Sequence, residues 1–287
     1  MEPFVNEIIL FLHSQKQSVE VNPTDCFVTD YDFLLIREQQ LIIIIHYLSV
    51  SYEVVPSDLP KDFRVIHLWE DVWKTSDAII KSRLLSAIGK SVRLPGRVTQ
   101  VRRIDKPTAD SFLTEHHLQG SPKAKFKYGL FLPKNYYRLV KDKTLIDENA
   151  DEILVAVATF AAPKTYYRND EKSRSIELIR FTNHSAFTII GGVNKLLKFL
   201  EKEQQPDDIM TYVDADWSDG KAFKKLGFER IEKIEPITFY VHKITHERHK
   251  YLPESETADN YAKVCNSGSW KMIRKIDAIH RLQSERS

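Results

Sequence analysis

The segment Ile176-Glu177-Leu178-Ile179-Arg180-Phe181 decides the fold of the central part of this 287-residue chain. Its residues alternate as in a β-strand, which predicts Glu177, Ile179 and Phe181 on one face. The strand carries polar groups on both faces.

A predicted helix follows, opening at Ile190-Gly191-Gly192-Val193-Asn194-Lys195. Its apolar residues recur at i, i+3, i+4 and i+7, the spacing of a helix packed on a sheet, and they are Val193, Leu196, Leu197 and Leu200. The N–H groups at such a helix start suit an anion, and glycine lets a phosphate approach closely. Gly191-Gly192 is equally compatible with a plain tight turn.

A second strand, Ile209 to Val213, is predicted after Pro206 and ends in the acidic run Asp214-Ala215-Asp216-Trp217-Ser218-Asp219-Gly220. A short helix from Lys221 to Leu226 and the stop Gly227-Phe228 follow. Polar groups at the end of a strand, beside the start of the preceding helix, are typical of ligand sites in open α/β sheets. The sequence thus predicts one half-site built from two strands and a helix.

These segments resemble the GNAT acyltransferase superfamily, and more narrowly its Mom-type branch, named for a phage protein that modifies adenine in DNA. The resemblance covers roughly residues 100 to 245. It rests on ordered short motifs: His116-His117-Leu118-Gln119-Gly120, Tyr128-Gly129-Leu130-Phe131, Leu154 to Phe160 with Pro163, Glu177 to Phe181, Tyr212-Val213-Asp214, and Trp217 to Gly220.

The resemblance implies acetyl-CoA or another acyl-CoA as cofactor, with its pyrophosphate on the helix after the fourth strand and a later helix ending in a Leu-Gly-Phe-like turn. The cofactor-binding residues it implies are Ile179, Phe181, Gly191, Gly192, Val193, Asn194 and Lys195. Val193 departs from the small residue expected in the pyrophosphate loop. Phe223 stands where a tyrosine often acts as general acid, so Tyr212 or solvent would have to protonate the leaving thiolate.

Such an enzyme must deprotonate an amine and hold it beside a thioester. Glu177 is the predicted general base, and a carboxylate paired with Arg180 or Lys198 is the alternative. Asp214 is the second predicted catalytic residue. The predicted substrate contacts are His117, Asp216, Trp217 and Ser218. For the two aspartates, helix capping ahead of Ser218-Asp219 is the alternative, and for the histidine, a cap at the end of a helix from Pro107 to Glu115.

Residues 1–100 follow a different pattern. A helix near Pro3, a β-rich stretch Cys26 to Val55, a strand Phe63 to Trp69 and a helix Val72 to Gly89 are predicted. This half resembles a degenerate Vsr-type nuclease domain of the PD-(D/E)XK class. Its second strand, Leu41 to Ile45, has no central carboxylate, so metal-dependent cleavage is not expected. The polar residues left there are relics or structural groups: Asp32, His46, His67 and Glu70.

The predicted fold class is α/β (α+β), with a GNAT-like mixed central sheet flanked by helices and a smaller N-terminal α/β domain. The predicted boundaries are 1–100, 101–245, and a C-terminal extension 246–287 packing on the second domain. A chain of this length buries enough core for more than one domain.

Two functions compete: an N-acyltransferase acting on an amine, including a nucleobase amino group, and a non-catalytic DNA-binding protein of phage or mobile-element origin. The net charge of +2 favours neither. Basic clusters at Arg93 to Lys106, Lys123 to Lys127 and Lys134 to Lys143 suit phosphate. The runs Tyr136-Tyr137-Arg138 and Tyr166-Tyr167-Arg168 resemble base-stacking surfaces.

The two cysteines, Cys26 and Cys265, fall in different predicted domains, which favours a reducing, cytoplasmic environment over a disulfide framework. No apolar run has the length of a membrane span, and Met1-Glu2-Pro3 lacks the basic region of a signal peptide. His246 and His249 have no third ligand at a metal-site spacing, so no metal is predicted. The sequence does not define an oligomeric state.

Overall fold

The structure is a computed structural model that describes residues 2–25, 31–50, 60, 62–168, 171–254 and 257–276. The contacts divide the chain into two compact units. The first comprises 1–90, 213–221 and 232–270, and the second 91–212, 222–231 and 271–287. The first boundary falls ten residues before the predicted one. Residues 246–270 belong to the first unit, whereas the predicted extension was assigned to the second domain.

The chain contains five α-helices among its described residues: α1 (Pro3–Ser14), α2 (Glu70–Ala87), α3 (Lys106–His116), α4 (Gly192–Gln204) and α5 (Lys221–Lys224). The strands in chain order are β1 (Glu20–Val21), β2 (Phe33–Ile36), β3 (Leu41–His46), β4 (Arg64–Trp69), β5 (Val92–Pro95), β6 (Gln100–Arg103), β7 (Phe126–Pro133), β8 (Glu152–Phe160), β9 (Lys164–Arg168), β10 (Glu171–Asn183), β11 (Phe187–Ile190), β12 (Asp208–Asp214), β13 (Glu229–Ile234), β14 (Thr238–His242), β15 (Arg248–His249), β16 (Tyr261–Cys265) and β17 (Ser269–Lys275). Mixed sheets flanked by helices confirm the predicted fold class.

The first unit is built on a four-stranded sheet in the order β1-β2-β3-β4. Strand β3 is buried along its whole length and runs antiparallel to β2 and parallel to β4. Parallel strands covered on both faces read as continuous apolar runs, which explains the sequence of Leu41 to Ile45. The predicted helix near Pro3 and the predicted strand before Trp69 are confirmed. Part of the predicted stretch Cys26 to Val55 lies outside the described residues.

A smaller sheet in the order β15-β14-β16 belongs to the same unit. Arg248 of β15 forms a bidentate ion pair with Asp71 of α2, at 2.6 Å from Nε to Oδ2 and 3.0 Å from Nη2 to Oδ1. The Arg248 guanidinium also lies 5.6 Å from the Trp69 ring centre and 5.3 Å from that of Phe239. This contact joins residues 177 positions apart in the chain, so it helps to explain why 232–270 belongs to the first unit.

The larger sheet has the order β13-β17-β12-β10-β8-β7-β6, and β9 pairs with β10. In the second unit, β6, β7, β8 and β10 are antiparallel neighbours, whereas β10 and β12 are parallel. A parallel pair needs a crossover, and α4 provides it. Of the strands in this main order, β6, β7, β8 and β10 come first along the chain, so β10 is the fourth. The resemblance implied that the pyrophosphate helix follows the fourth strand, and α4 is the helix that follows β10.

The predicted face of α4 packs as expected, because Leu196, Leu197 and Leu200 are fully buried, while Val193 is half-buried. Near its end, Glu203 accepts a hydrogen bond from Tyr128 of β7 at 2.6 Å. The predicted Leu226-Gly227-Phe228 turn is also confirmed. Gly227 has φ +84°, and the Phe228 N–H donates to the Phe223 carbonyl at 3.1 Å.

Candidate functional site

Strand β10 contains a β-bulge at Ile179. Leu178 pairs with Phe160 and Arg180 with Thr159, so Ile179 is the extra residue between two consecutive pairs. On its other side, β10 pairs with β12 as far as Leu178 and Thr211, whose Oγ1 donates to the Leu178 carbonyl at 3.0 Å. In the described part of the chain, this parallel ladder therefore ends one residue before the bulge. Bulges redirect residues and are common beside active sites.

The bulge corrects the predicted alternation of this strand. Before it, Ile176 and Leu178 are buried and Glu177 is half-buried, as predicted. After it, Ile179, Arg180 and Phe181 are all half-buried. An inserted residue breaks the two-residue period, so Glu177 and Phe181 are not members of one uninterrupted face.

Helix α4 follows this strand and β11 in the chain and begins with Gly191 as its N-cap, in the left-handed conformation at φ +77°. A Cβ atom at Gly191 would meet nothing within 4 Å, whereas one at Gly192 would lie 2.9 Å from Ile189 Cγ2 and 3.1 Å from Leu130 Cδ1. Gly191 therefore leaves open space over the helix start, and Gly192 allows close packing on the sheet. The N–H groups of a first helical turn have no intrahelical partners and sit at the positive end of the dipole, so this end suits a phosphate group.

A third glycine, Gly96, lies against the same turn and was not predicted. A Cβ atom there would be 2.8 Å from the Ile190 oxygen and 3.2 Å from the Gly192 nitrogen. The parallel pairing of β5 with β11 sets this approach, with Pro95 opposite Ile190. The only sequence signal was the Pro95-Gly96 dipeptide, which marks a turn without indicating what it contacts.

Lys195, a predicted cofactor contact, holds this turn in place. Its Nζ donates to the carbonyl oxygens of Gly96, at 3.1 Å, and Thr99. Burial lowers the pKa of Lys195. Two of the three ammonium donors are thus used within the protein, which leaves one for any ligand at the helix start.

The other predicted residues of the second unit are Glu177, Tyr212 and His117. Glu177 lies two residues before the bulge, opposite Met210 of β12, and its carbonyl accepts from the Ala161 N–H at 2.9 Å. The Tyr212 side chain is 43% exposed. His117 is the C-cap of α3, and its Nδ1 accepts from the Gln119 N–H at 3.1 Å. This side-chain bond lies in the loop after α3, and substrate contact by His117 stays a prediction.

His116, next to it, is buried and bonded to Ser185 Oγ through Nδ1 at 2.8 Å. Its ring lies 4.4 Å from that of His184. Burial, together with the neighbouring His184, lowers the pKa of His116 to about 4. This neutral histidine fixes the loop that leads from β10 to β11, a role that the sequence did not indicate.

The acidic run that begins at Asp214 lies in the first unit, and its side chains contact other residues of that unit. Asp216 is buried and accepts from Ser267 N–H at 2.8 Å, from Ser267 Oγ and from Trp69 Nε1 at 3.2 Å. The Arg83 guanidinium lies 4.4 Å from the Trp217 ring centre, and Ser218 Oγ accepts from the Gly220 N–H at 3.1 Å. These contacts give the three residues a structural role. Substrate binding by Asp216, Trp217 and Ser218 stays a prediction.

Asp214, at the start of this run, has a perturbed carboxyl group. Its Oδ1 accepts from the Asp216 N–H at 3.0 Å. Burial, and then the charge of Asp216, raise the pKa of Asp214 to about 6, against the opposing effects of Arg83 and Arg248. A carboxyl group that titrates near neutral pH is suited to general base chemistry. The value is therefore compatible with the predicted catalytic role and does not establish it.

The raised pKa of Asp214 predicts how the stability of the first unit depends on pH. A folded-state pKa above the unfolded value of 3.8 means that Asp214 stabilises the fold fully below that value and loses the contribution as pH rises through about 6. The wild-type protein should therefore lose up to about 3 kcal/mol of unfolding free energy at this group between pH 4 and 7, and Asp214→Asn should not show this loss. All four tryptophans, Trp69, Trp73, Trp217 and Trp270, belong to the first unit, so urea unfolding followed by tryptophan fluorescence measures this unit.

The difference between variant and wild type separates Asp214, together with its interaction with Asp216, from His46 and His67, whose lowered pKa values have the opposite effect on stability. A difference in unfolding free energy that stays constant from pH 4 to 7 would show that Asp214 titrates normally.

The polar residues of the predicted nuclease-like half are also bonded internally. His46 Nε2 and His67 Nδ1 lie 2.9 Å apart, and burial lowers their pKa values, to about 2 and about 4. Asp32 accepts from Tyr47 Oη and Asn22 Nδ2, each at 2.7 Å, and Glu70 accepts from the Leu48 N–H at 3.0 Å. These contacts match the structural interpretation of all four residues.

Within the ranges that the structure describes, no three His, Cys, Asp or Glu side chains form a group able to hold a metal ion. None of the helices there is both long and apolar enough to cross a membrane. Cys265 is a free thiol, and Cys26 lies outside the described residues.

No protein-family model matches the sequence, and no curated protein matches it significantly. Among solved structures, the chain is similar to a NatC complex bound to Gag peptide and CoA, at 10% identity over 62% of this chain and 99% of that one, with a TM-score of 0.34. It is also similar to the ribosomal-protein-S18-alanine N-acetyltransferase from Escherichia coli, at 13% identity over 62% and 94%, with a TM-score of 0.33.

A KacTA–DNA complex matches at 14% identity over 65% of this chain and 99% of that one, with a TM-score of 0.33. Likenesses at these scores transfer neither a substrate nor an activity to this chain. The features on which a function can be argued are those observed in this chain itself: the topology of the second unit, the bulge at Ile179 and the start of α4.

Proposed function

We propose that the second unit is a GNAT-like N-acyltransferase domain that uses acetyl-CoA or another acyl-CoA to modify an amine. The observation that carries this proposal is the bulge at Ile179, where the β10–β12 ladder ends, on the strand that precedes the glycine-started helix α4. An extended backbone and an anion-binding helix start are the two elements that an elongated, phosphate-bearing ligand requires.

The residues present fit such a cofactor. Gly191 leaves space at the helix start where a side chain would otherwise stand, and the N–H groups of Gly192, Val193 and Asn194 are the donors for a pyrophosphate. The Lys195 ammonium group, which donates two hydrogen bonds to the carbonyls of Gly96 and Thr99, adds positive charge there. Ile179 and Phe181 would flank the elongated part of the ligand. When bound, acyl-CoA supplies an activated thioester carbonyl.

Residues of the chain must accept a proton from the amine and donate one to the leaving thiolate. Glu177, half-buried two residues before the bulge, is the residue we assign as general base for the amine, directly or through water. Tyr212, exposed at the end of the parallel strand, is assigned as the donor to the leaving group, because Phe223 cannot donate. Asp214, in the first unit, stays our second proposed catalytic residue, and its raised pKa supports that proposal.

For the acceptor, we propose a nucleobase amino group, as in the Mom-type branch. The basic clusters and exposed tyrosines of the second unit support this choice. For the first unit, we propose a degenerate Vsr-like domain that positions DNA without cleaving it, supported by the internal bonding of Asp32, His46, His67 and Glu70. A protein in which both units only bind DNA is the second candidate function.

The proposal is tested by release of free coenzyme A thiol from acetyl-CoA in the presence of amine acceptors, including single-stranded oligonucleotides. We expect amine-dependent release by the wild-type protein and a loss of about tenfold or more with Glu177→Gln, since a general base commonly contributes a hundredfold or more. Glu229→Gln changes an exposed strand glutamate in the same way and should have no effect. Equal rates for both variants would exclude Glu177 as the base.

A further inference from the structure

Strand β9 and the first residues of β10 form a two-stranded arm in the second unit, made of the described residues 164–168 and 171–175. Lys164 pairs with Ser175, Tyr166 with Ser173, and Tyr167 with Lys172. Residues 164 to 167 are exposed in succession, as is Lys172. A strand buried on one face would alternate between buried and exposed. Both faces of β9 are therefore accessible.

The arm presents aromatic rings on both faces. Tyr167 is 75% exposed and lies directly across from Lys172, while Tyr166, on the opposite face, is 41% exposed. The other predicted base-stacking run behaves differently. Tyr137 is buried, and its hydroxyl donates to the Ala150 carbonyl at 3.0 Å, so the prediction that this ring stacks on bases is wrong. Of the two runs, only Tyr166-Tyr167 has exposed adjacent rings among the described residues.

The base of the arm is basic. The Lys125 N–H donates to the Phe160 carbonyl at 2.8 Å, which brings Lys125 to the end of β8, where the chain continues towards β9. Lys125 and Lys164 are exposed there, as is Lys123 two residues before Lys125, and Lys172 is exposed at the other end of the arm. The sequence has no acidic residue in 121–127 or 161–168, and Asp170 and Glu171 follow in the chain. Cations beside stacking rings are the chemistry that binds a phosphodiester chain with unpaired bases.

We propose that the arm binds single-stranded nucleic acid, with a base stacked on Tyr167 and a phosphate beside Lys172. Unpaired bases are the fitting partner because stacking on a side chain needs an open base face. This rests on the proposed function, in which the acceptor is a nucleobase. Helix α4 follows the carboxyl end of β10, whereas the arm is at its amino end, where Lys172 lies about 23 Å along the strand from Ile179. Cofactor phosphate and acceptor would thus approach the bulge from opposite ends of β10.

The test is fluorescence anisotropy of a labelled single-stranded DNA of about 20 nucleotides with the full chain. Tyr167→Ala should weaken binding about tenfold, because base stacking on one aromatic ring contributes on that scale. Lys172→Ala should weaken binding and reduce the slope of log K against log salt by about 0.7, the value for one phosphate contact on a single strand. These residues are exposed, so the fold should be preserved, which a circular dichroism melt checks.

The chain offers a matched control in its first unit. Tyr251 is 74% exposed, and the Lys250 Nζ lies 5.7 Å from its ring centre. Tyr251→Ala and Lys250→Ala should leave the affinity unchanged. The inference is overturned if the wild type does not bind at low salt, if Tyr167→Ala behaves like Tyr251→Ala, or if duplex DNA or polyglutamate competes as well as the single strand. A parallel acetyl-CoA titration separates this failure from that of the transferase.

Discussion

Gly191→Asp should weaken acetyl-CoA binding at least about 100-fold, which corresponds to nearly 3 kcal/mol, in isothermal titration against the wild-type protein. The aspartate would bring a carboxylate to the helix start where a pyrophosphate would rest, so it would repel the ligand. It would also occupy the space that Gly191 leaves open and would strain a backbone that has φ +77°.

Gly120 provides the matched control for this substitution. It also has a positive φ, +58°, and a Cβ atom there would likewise meet nothing within 4 Å. Gly120→Asp therefore introduces the same strain and charge in the loop after α3, and we expect acetyl-CoA affinity to be unchanged. If both variants bind like the wild type, the start of α4 is not the phosphate site. If both lose binding alike, the loss is a general effect of charge or strain.

Arg248→Met should lower the free energy of unfolding of the first unit by about 3–5 kcal/mol, because it leaves the buried Asp71 carboxylate without its partner. The Asp71 side chain is 3% exposed and that of Arg248 is 25% exposed. Urea unfolding followed by tryptophan fluorescence measures this, since all four tryptophans lie in the first unit.

Arg37→Met is the exposed counterpart in the same unit. Arg37 pairs with Glu20 and Asp25 at 2.7 Å, but its side chain is 44% exposed. Solvent screens such pairs, so the urea midpoint should barely change. The double variant Asp71→Leu/Arg248→Met should recover much of the stability, since it removes the unpaired charge. A similar small effect for Arg248→Met and Arg37→Met would show that the Asp71–Arg248 pair does not hold 232–270 on the first unit.

Local patterns predicted the elements but not the contacts that define the candidate site. The i, i+3, i+4, i+7 spacing gave α4 and its buried leucines, and the apolar run Leu41 to Ile45 gave a strand buried on both faces. The bulge at Ile179 was not predicted, because an inserted residue depends on the register with β8 and leaves no residue type as a marker. Gly96 was missed for a similar reason: its packing against Gly192 depends on pairing between segments almost a hundred residues apart.

The unit boundaries were hard to predict for a physical reason as well. Residues 232–270 lie far along the chain from α2 and β4, and local composition gives no sign that they pack on these elements. The Asp71–Arg248 ion pair and the bonds from Ser267 and Trp69 to Asp216 connect distant segments. Such long-range polar contacts determine where a terminal segment folds, and single-sequence periodicity does not report them.

We propose that acyl-CoA binds along β10 and at the start of α4 in the second unit. Amide hydrogen exchange of the wild-type protein, with and without acetyl-CoA, tests this binding site most directly. We expect slower exchange at Ile179 to Phe181 and at Gly192 to Asn194 when acetyl-CoA is present. Unchanged exchange at both segments under saturating acetyl-CoA, or protection confined to residues 1–90, would contradict it.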